Sequence, residues 1–95
     1  MSNVSTSNVL HLSAVKKWAK AQEKQFRQLK KKIDKTDDVS SVLKGLDVSE
    51  PSLRSLRNKA RKLQREFPTA ARFRQKLARE LDGEIKRFTK ILALV

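Results

Sequence analysis

The chain has no cysteine and no tyrosine, two glycines, two prolines and one histidine in 95 residues. Each scarcity excludes something. Without cysteine there is no disulfide, no thiolate metal site and no thiol nucleophile, a composition that fits a reducing compartment. So few glycines and prolines cannot supply the turns of a β fold. The lone His11 has no Asp, Glu, Cys or second His at ligand spacing, so neither a metal centre nor a general base is expected of it. No glycine-rich loop is present to cradle a phosphate, and there is no G-x-S-x-G nucleophile elbow. Long apolar runs are missing as well, and nothing approaches the roughly 20 residues that span a bilayer. The opening stretch, Met1–Ser13, carries no basic segment ahead of an apolar core, so it does not read as a secretory signal. These absences predict a non-enzymatic protein of the cytoplasm or nucleus, with no cofactor and no bound metal.

Acidic residues are also few. Ten Asp and Glu face 23 Lys and Arg, for a formal charge of +13. Such an excess opposes compaction unless an anion neutralises it, and nucleic acid is the polyanion that most often does so. A surface that merely kept the chain soluble would mix both signs.

What is abundant points to helix. Leu, Lys, Arg, Gln, Glu and Ala dominate, all good helix formers. Leu, Ile, Val and Phe make up 26 of the 95 residues, enough for a core but a thin one in so short a chain. The expected fold is all-α: a small helical bundle of three long amphipathic helices plus one short helix, completed as a homodimer. A polar, flexible tail is expected over residues 1–8. A single helical domain should follow over 9–95, with helices at about 9–35, 38–44, 50–66 and 70–93.

The first helix shows apolar positions Val15, Trp18, Phe26, Leu29 and Ile33 with a polar break at Gln22, and Asn8 or Ser13 placed to cap it. Nine basic residues cover Lys16–Lys35. Like charges at i, i+4, such as Lys16, Lys20 and Lys24, weaken an isolated helix by a few tenths of a kcal/mol each. Thr36 or Asp37 is placed to cap the short helix, whose inward residues would be Val39, Val42 and Leu43, and Gly45 is expected to end it in a left-handed conformation. Ser49 would cap the third helix, with Pro51 in its first turn. That helix carries two stripes: Leu53, Leu56, Ala60 and Leu63 for the core, and Arg54, Arg57, Arg61 and Arg65 beside them. It should stop near Glu66, because Phe67 precedes Pro68. Thr69 would cap the fourth helix, whose stripe is Phe73, Leu77, Leu81, Ile85, Phe88 and Leu92. The stripe stays in phase across Asp82-Gly83, so one continuous helix is expected there. Glu80, Asp82 and Glu84 are scattered around that helix and suit pairing with Arg79, Lys86 or Arg87 better than metal binding. The apolar end, Ile91–Val95, should dock on the core or on a partner chain.

Between residues 38 and 66, Val48 with Val42, Leu43 and Leu46 before it and Leu53 and Leu56 after it resembles the packed positions of a helix-turn-helix unit. Asp47 stands where such units usually have glycine, Gly45 falls two residues early, and Leu43 replaces the usual alanine. The resemblance implies a sequence-specific DNA-binding regulator in which Glu50, Ser52, Arg54, Ser55, Asn58 and Lys59 face the major groove.

The distribution of charge favours a different use. Basic residues number nine in Lys16–Lys35, six in Arg54–Arg65 and seven in Arg72–Lys90. Cations spread over three helices suit a long phosphate track better than one base-reading helix. The aromatics lie in the apolar seams and not among the cations, unlike the stacking platforms of single-strand binders. The leading expectation is a binder of double-stranded nucleic acid, largely indifferent to sequence and inclined to duplex RNA, whose minor groove admits helical faces that touch backbone and 2′-hydroxyls. The candidate binding residues are Lys17, Lys20, Lys24, Arg27 and Lys31 in the first helix, Arg54, Arg57, Asn58, Arg61 and Arg65 in the third, and Arg72, Lys76 and Arg79 in the fourth. The first and third helices are expected to share one basic surface. A further class stays open, an interaction protein for an acidic partner or an anionic membrane surface, on which basic amphipathic helices can lie.

Overall fold

A computed structural model describes residues 2–95, with side chains described from Leu12 onward; the side chains of His11 and of the expected tail over 1–8 lie outside what is described. The order is α1 (Ser2–Lys35), α2 (Val39–Lys44), α3 (Pro51–Glu66) and α4 (Ala70–Leu94), and no strand occurs among the described residues. The fold is thus all-α. The helix of α1 starts at Ser2 and not near residue 9, because Ser, Thr and Asn in that stretch are indifferent helix formers and not breakers. The molecule is a rod with principal extents of 58 × 23 × 22 Å.

The antiparallel pair α1 and α4 forms its spine. Ala19, Gln22, Phe26, Leu29 and Ile33 recur along α1 at steps of three and four, and Phe73, Leu77, Leu81, Ile85 and Phe88 do so along α4; all are buried. Trp18 does not belong to this seam. Ala19 takes the buried position, and Trp18 sits at its edge, 42% exposed, meeting Phe88 edge-on with ring centroids 5.4 Å apart. Gln22 is buried at 4% exposure, and its Oε1 has no hydrogen-bond partner in the protein. α3 packs its Leu53, Leu56 and Ala60 against α4, and α2 adds Val39 and Leu43. At the far end Ile91 packs against the core, whereas Leu94 is 85% exposed.

The turns differ from the expected caps. Asp38, one or two residues later than expected, caps α2. Its Oδ1 accepts from Ser41 N at 3.1 Å and its Oδ2 from Ser41 Oγ at 2.6 Å, while Thr36 Oγ1 accepts from Asp38 N. Glu50 and not Ser49 caps α3, because Ser49 gives both its N–H and its hydroxyl to Asp47 Oδ1. Gly45 is right-handed at φ −82°. Its N–H is shared between the Ser41 and Val42 carbonyls at 3.2 Å, so the turn needs no positive φ. Thr69 opens α4 without a side-chain cap bond. α3 ends at Glu66, before Phe67 and Pro68.

Two measurements check this local account. Gly83 lies inside the unbroken α4, and a Cβ there would meet no heavy atom within 4 Å. Gly83→Ala is therefore expected to raise stability by about 1 kcal/mol in urea unfolding; a loss would show that α4 is not helical through this point. The bonds from the Ser41 side chain and then its backbone hold the Asp38 carboxyl below the ordinary aspartate range. A depressed carboxylate stabilises the fold above its unfolded pKa and loses that contribution as pH falls through the folded one. Asp38→Ala should thus lower the urea midpoint at neutral pH, and the gap from wild type should close below about pH 4. A gap that is the same at pH 7 and in strong acid would contradict this.

Candidate nucleic-acid interface

The packing sorts the cations into separate surfaces. α4 meets α1 along one side, where Lys30 Nζ lies 2.5 Å from Asp82 Oδ1, and α3 along the other, where Lys59 Nζ lies 3.8 Å from Glu80 Oε2. α2 packs on α1 and is tied to α3 by a 3.0 Å hydrogen bond from Gln64 Nε2 to Ser40 Oγ.

Lys17, Lys20, Lys24, Arg27 and Lys31 form one exposed stripe of α1 at steps of three and four. Arg27 places this stripe beside the α1/α4 groove, which it lines with Asp82, Ile85, Lys86, Thr89 and Lys90. Arg27 Nε is also engaged by Glu23 Oε1 at 3.0 Å. The edge of α1 that faces the α2–α3 turn presents Gln25, Gln28 and Lys32 instead.

Arg54, Arg57, Arg61 and Arg65 follow one another along α3 at steps of three and four. Arg57 and Arg61 line a cleft between α2 and α3 together with Lys44. Arg54, Arg61 and Arg65 are exposed and Arg57 is half-buried. The groove beside the α1 stripe is thus shared with α4, and no residue of α3 lines it. The two stripes line different clefts, with no residue in common.

The four ion pairs among the described residues are Arg27–Glu23, Lys30–Asp82, Lys59–Glu80 and Arg87–Glu84. All lie on α1, on α4 or between α4 and a neighbour. Glu80 and Asp82 take partners from other helices and not the neighbours in their own helix expected for them. No carboxylate of the described residues comes within ion-pair distance of Arg54, Arg57, Arg61 or Arg65. Arg54 Nε donates to the Val48 carbonyl at 2.8 Å, which pins the first member of the stripe to the turn before α3. Neighbouring guanidinium groups three or four residues apart repel each other by a few tenths of a kcal/mol, and no ion pair among the described residues offsets it.

Asn58 is exposed on α3. On α4, Arg72 and Arg79 are exposed, and Lys76 is half-buried with its Nζ 5.0 Å from the centre of the Phe67 ring. These three stand apart from the arginine stripe. Lys44, by contrast, lines the cleft with Arg57 and Arg61 and was not singled out from the sequence. Its proximity depends on how α2 folds back between α1 and α3; the one local hint is its place in the last turn of α2.

No protein-family model matches this sequence, and no curated protein and no solved structure is significantly similar to it.

Proposed function

We propose that this chain is a non-enzymatic protein that binds double-stranded nucleic acid, duplex RNA ahead of duplex DNA, through phosphate contacts largely independent of sequence. One observation carries the reading. Among the described residues, ion pairs engage Arg27 and Lys30 on α1, Lys59 on α3 and Arg87 on α4, but none of Arg54, Arg57, Arg61 and Arg65. Four arginines over eleven residues span about 16 Å of helix, and each planar fork can hold a phosphate by two hydrogen bonds. The mostly lysine stripe on α1 supplies a second, more diffuse field.

The aromatic rings support a duplex over a single strand. Phe26, Phe73 and Phe88 are buried, Phe67 is half-buried beneath Lys76, and Trp18 lies edge-on to Phe88, so no ring offers its face amid the arginines. The test is a competition assay of the full chain with duplex RNA, duplex DNA and single strands at matched salt. Duplex RNA should compete best, random and defined sequences alike. Preference for single strands would remove the reading, and a large preference for one DNA site would replace it with the helix-turn-helix alternative.

A homodimer belongs to the same proposal. Exposed Leu12, Trp18 and Leu94 lie toward one end of the spine, with Val15, Leu92 and Val95 half-buried nearby. Sedimentation equilibrium should give twice the chain mass. If the chain is monomeric and floats with anionic vesicles, this end serves a membrane surface instead.

A further inference from the structure

The cleft between α2 and α3 differs from the open arginine stripe that borders it. Its lining is Ser40, Leu43, Lys44, Arg57, Arg61 and Gln64. Three cations thus converge on one concavity, and no carboxylate among the described residues lines it. The α1/α4 groove is unlike it, because there Asp82 is part of the lining and Glu23 engages Arg27.

Arg57 is the central residue. Its Nε is shielded from solvent yet finds no hydrogen-bond acceptor in the protein. A charged donor in that position calls for an anionic acceptor, since a buried N–H without one loses its hydration and gains nothing. The bond from Gln64 Nε2 to Ser40 Oγ ties the two walls together and leaves the Ser40 hydroxyl its proton to donate. Buried Leu43 contributes an apolar wall, which lowers the local dielectric and strengthens attraction to a charge.

From this arrangement we infer that the α2/α3 cleft is a seat for one phosphate group, held by Arg57 and Arg61 with Lys44 as a third charge. Two guanidinium forks, one ammonium and one hydroxyl offer more donors than the two oxygens of a carboxylate can use, and a tetrahedral phosphate can accept from all of them. The inference deepens the nucleic-acid reading if the phosphate belongs to a duplex backbone. The same chemistry serves a free phosphate or a small phosphorylated molecule.

The test uses the full chain labelled with ¹⁵N and follows the arginine Nε–Hε signals. Inorganic phosphate is titrated against sodium chloride at equal ionic strength. The Arg57 signal should shift and saturate at lower phosphate than those of exposed Arg72 and Arg79. Arg57→Lys, which keeps the charge but removes the fork, should abolish the saturable shift of Arg61 while the circular dichroism stays that of the wild type. If Arg57 responds no more than Arg72 and Arg79, the seat does not exist. Duplex RNA binding, measured on the same two proteins, identifies the source. A loss of about tenfold in Arg57→Lys, the size of one charged hydrogen bond, assigns the seat to a backbone phosphate. Unchanged duplex affinity beside a saturable phosphate response assigns it to a free phosphate ligand. A saturable response in a wild type that binds no duplex upholds the seat and overturns the nucleic-acid reading. Duplex binding without an Arg57 response does the reverse.

Discussion

Replacing Arg54, Arg57, Arg61 and Arg65 together by glutamine is expected to lower duplex affinity on the order of a thousandfold at about 0.1 M salt. The estimate follows from counterion release. Each phosphate neutralised by a fixed cation contributes close to one unit to the slope of log affinity against log salt, so four lost contacts remove about four units. Glutamine keeps helix propensity and most of the side-chain length, and three of the four arginines are exposed. Circular dichroism and thermal unfolding should therefore be nearly unchanged, and relief of repulsion along the stripe should raise the melting temperature slightly. The matched control is the α1 stripe. Lys17, Lys20, Lys24 and Lys31 changed together to glutamine remove the same charge from α1 and should cost far less affinity. Equal losses from the two variants would mean that total charge, and not the α3 surface, carries binding.

Phe88→Ala is expected to cost about 3–5 kcal/mol of stability. Phe88 is fully buried, and its ring meets Phe26 at 5.4 Å and Trp18 at 5.4 Å, so it joins the two spine helices at their aromatic end. Arg87 stacks its guanidinium 5.2 Å from the same ring centre. Truncation leaves a cavity that the antiparallel α1/α4 pair cannot collapse without shifting the seam. Small domains have only about 5–15 kcal/mol in total, so thermal unfolding should move down by tens of degrees. Trp18→Ala should cost clearly less, because its ring is 42% exposed. Similar losses from the two would show that Trp18 is part of the core after all.

The readable part of this fold is the part that periodicity controls. Leu53, Leu56 and Ala60 in α3, and Phe73 to Phe88 in α4, are buried as their spacing requires, and α4 runs through Gly83 because its seam never loses phase. Pro68 stops α3 by local sterics alone. Features decided by competition between near neighbours were not readable. Ala19 or Trp18 as the buried residue turns on how closely α4 approaches α1. Asp38 rather than Asp37, and Glu50 rather than Ser49, became caps through bonds to Ser41 and Asp47 that spacing does not rank.

The candidate site was legible as a set of cations and not as a surface. Helical spacing groups Arg54, Arg57, Arg61 and Arg65, and separately Lys17 to Lys31, without saying which group stays free. Of the two groups only Arg27 is in an ion pair, with Glu23, while the pairs that packing makes between helices take Lys30, 52 residues from Asp82, and Lys59. Only the packing of α4 reveals that Asp82 turns toward α1 and Glu80 toward Lys59 of α3, while Glu84 stays with Arg87 of its own helix. The convergence of Lys44 with Arg57 and Arg61 is tertiary in the same sense.

The central claim is that the fold keeps the α3 arginines free for phosphate. The most direct measurement is the salt dependence of duplex RNA binding by the wild-type chain, followed by fluorescence anisotropy from about 0.05 to 0.3 M salt. The logarithmic slope should be steep, at about four or more, as fixed cation–phosphate contacts require. A flat response would contradict the claim.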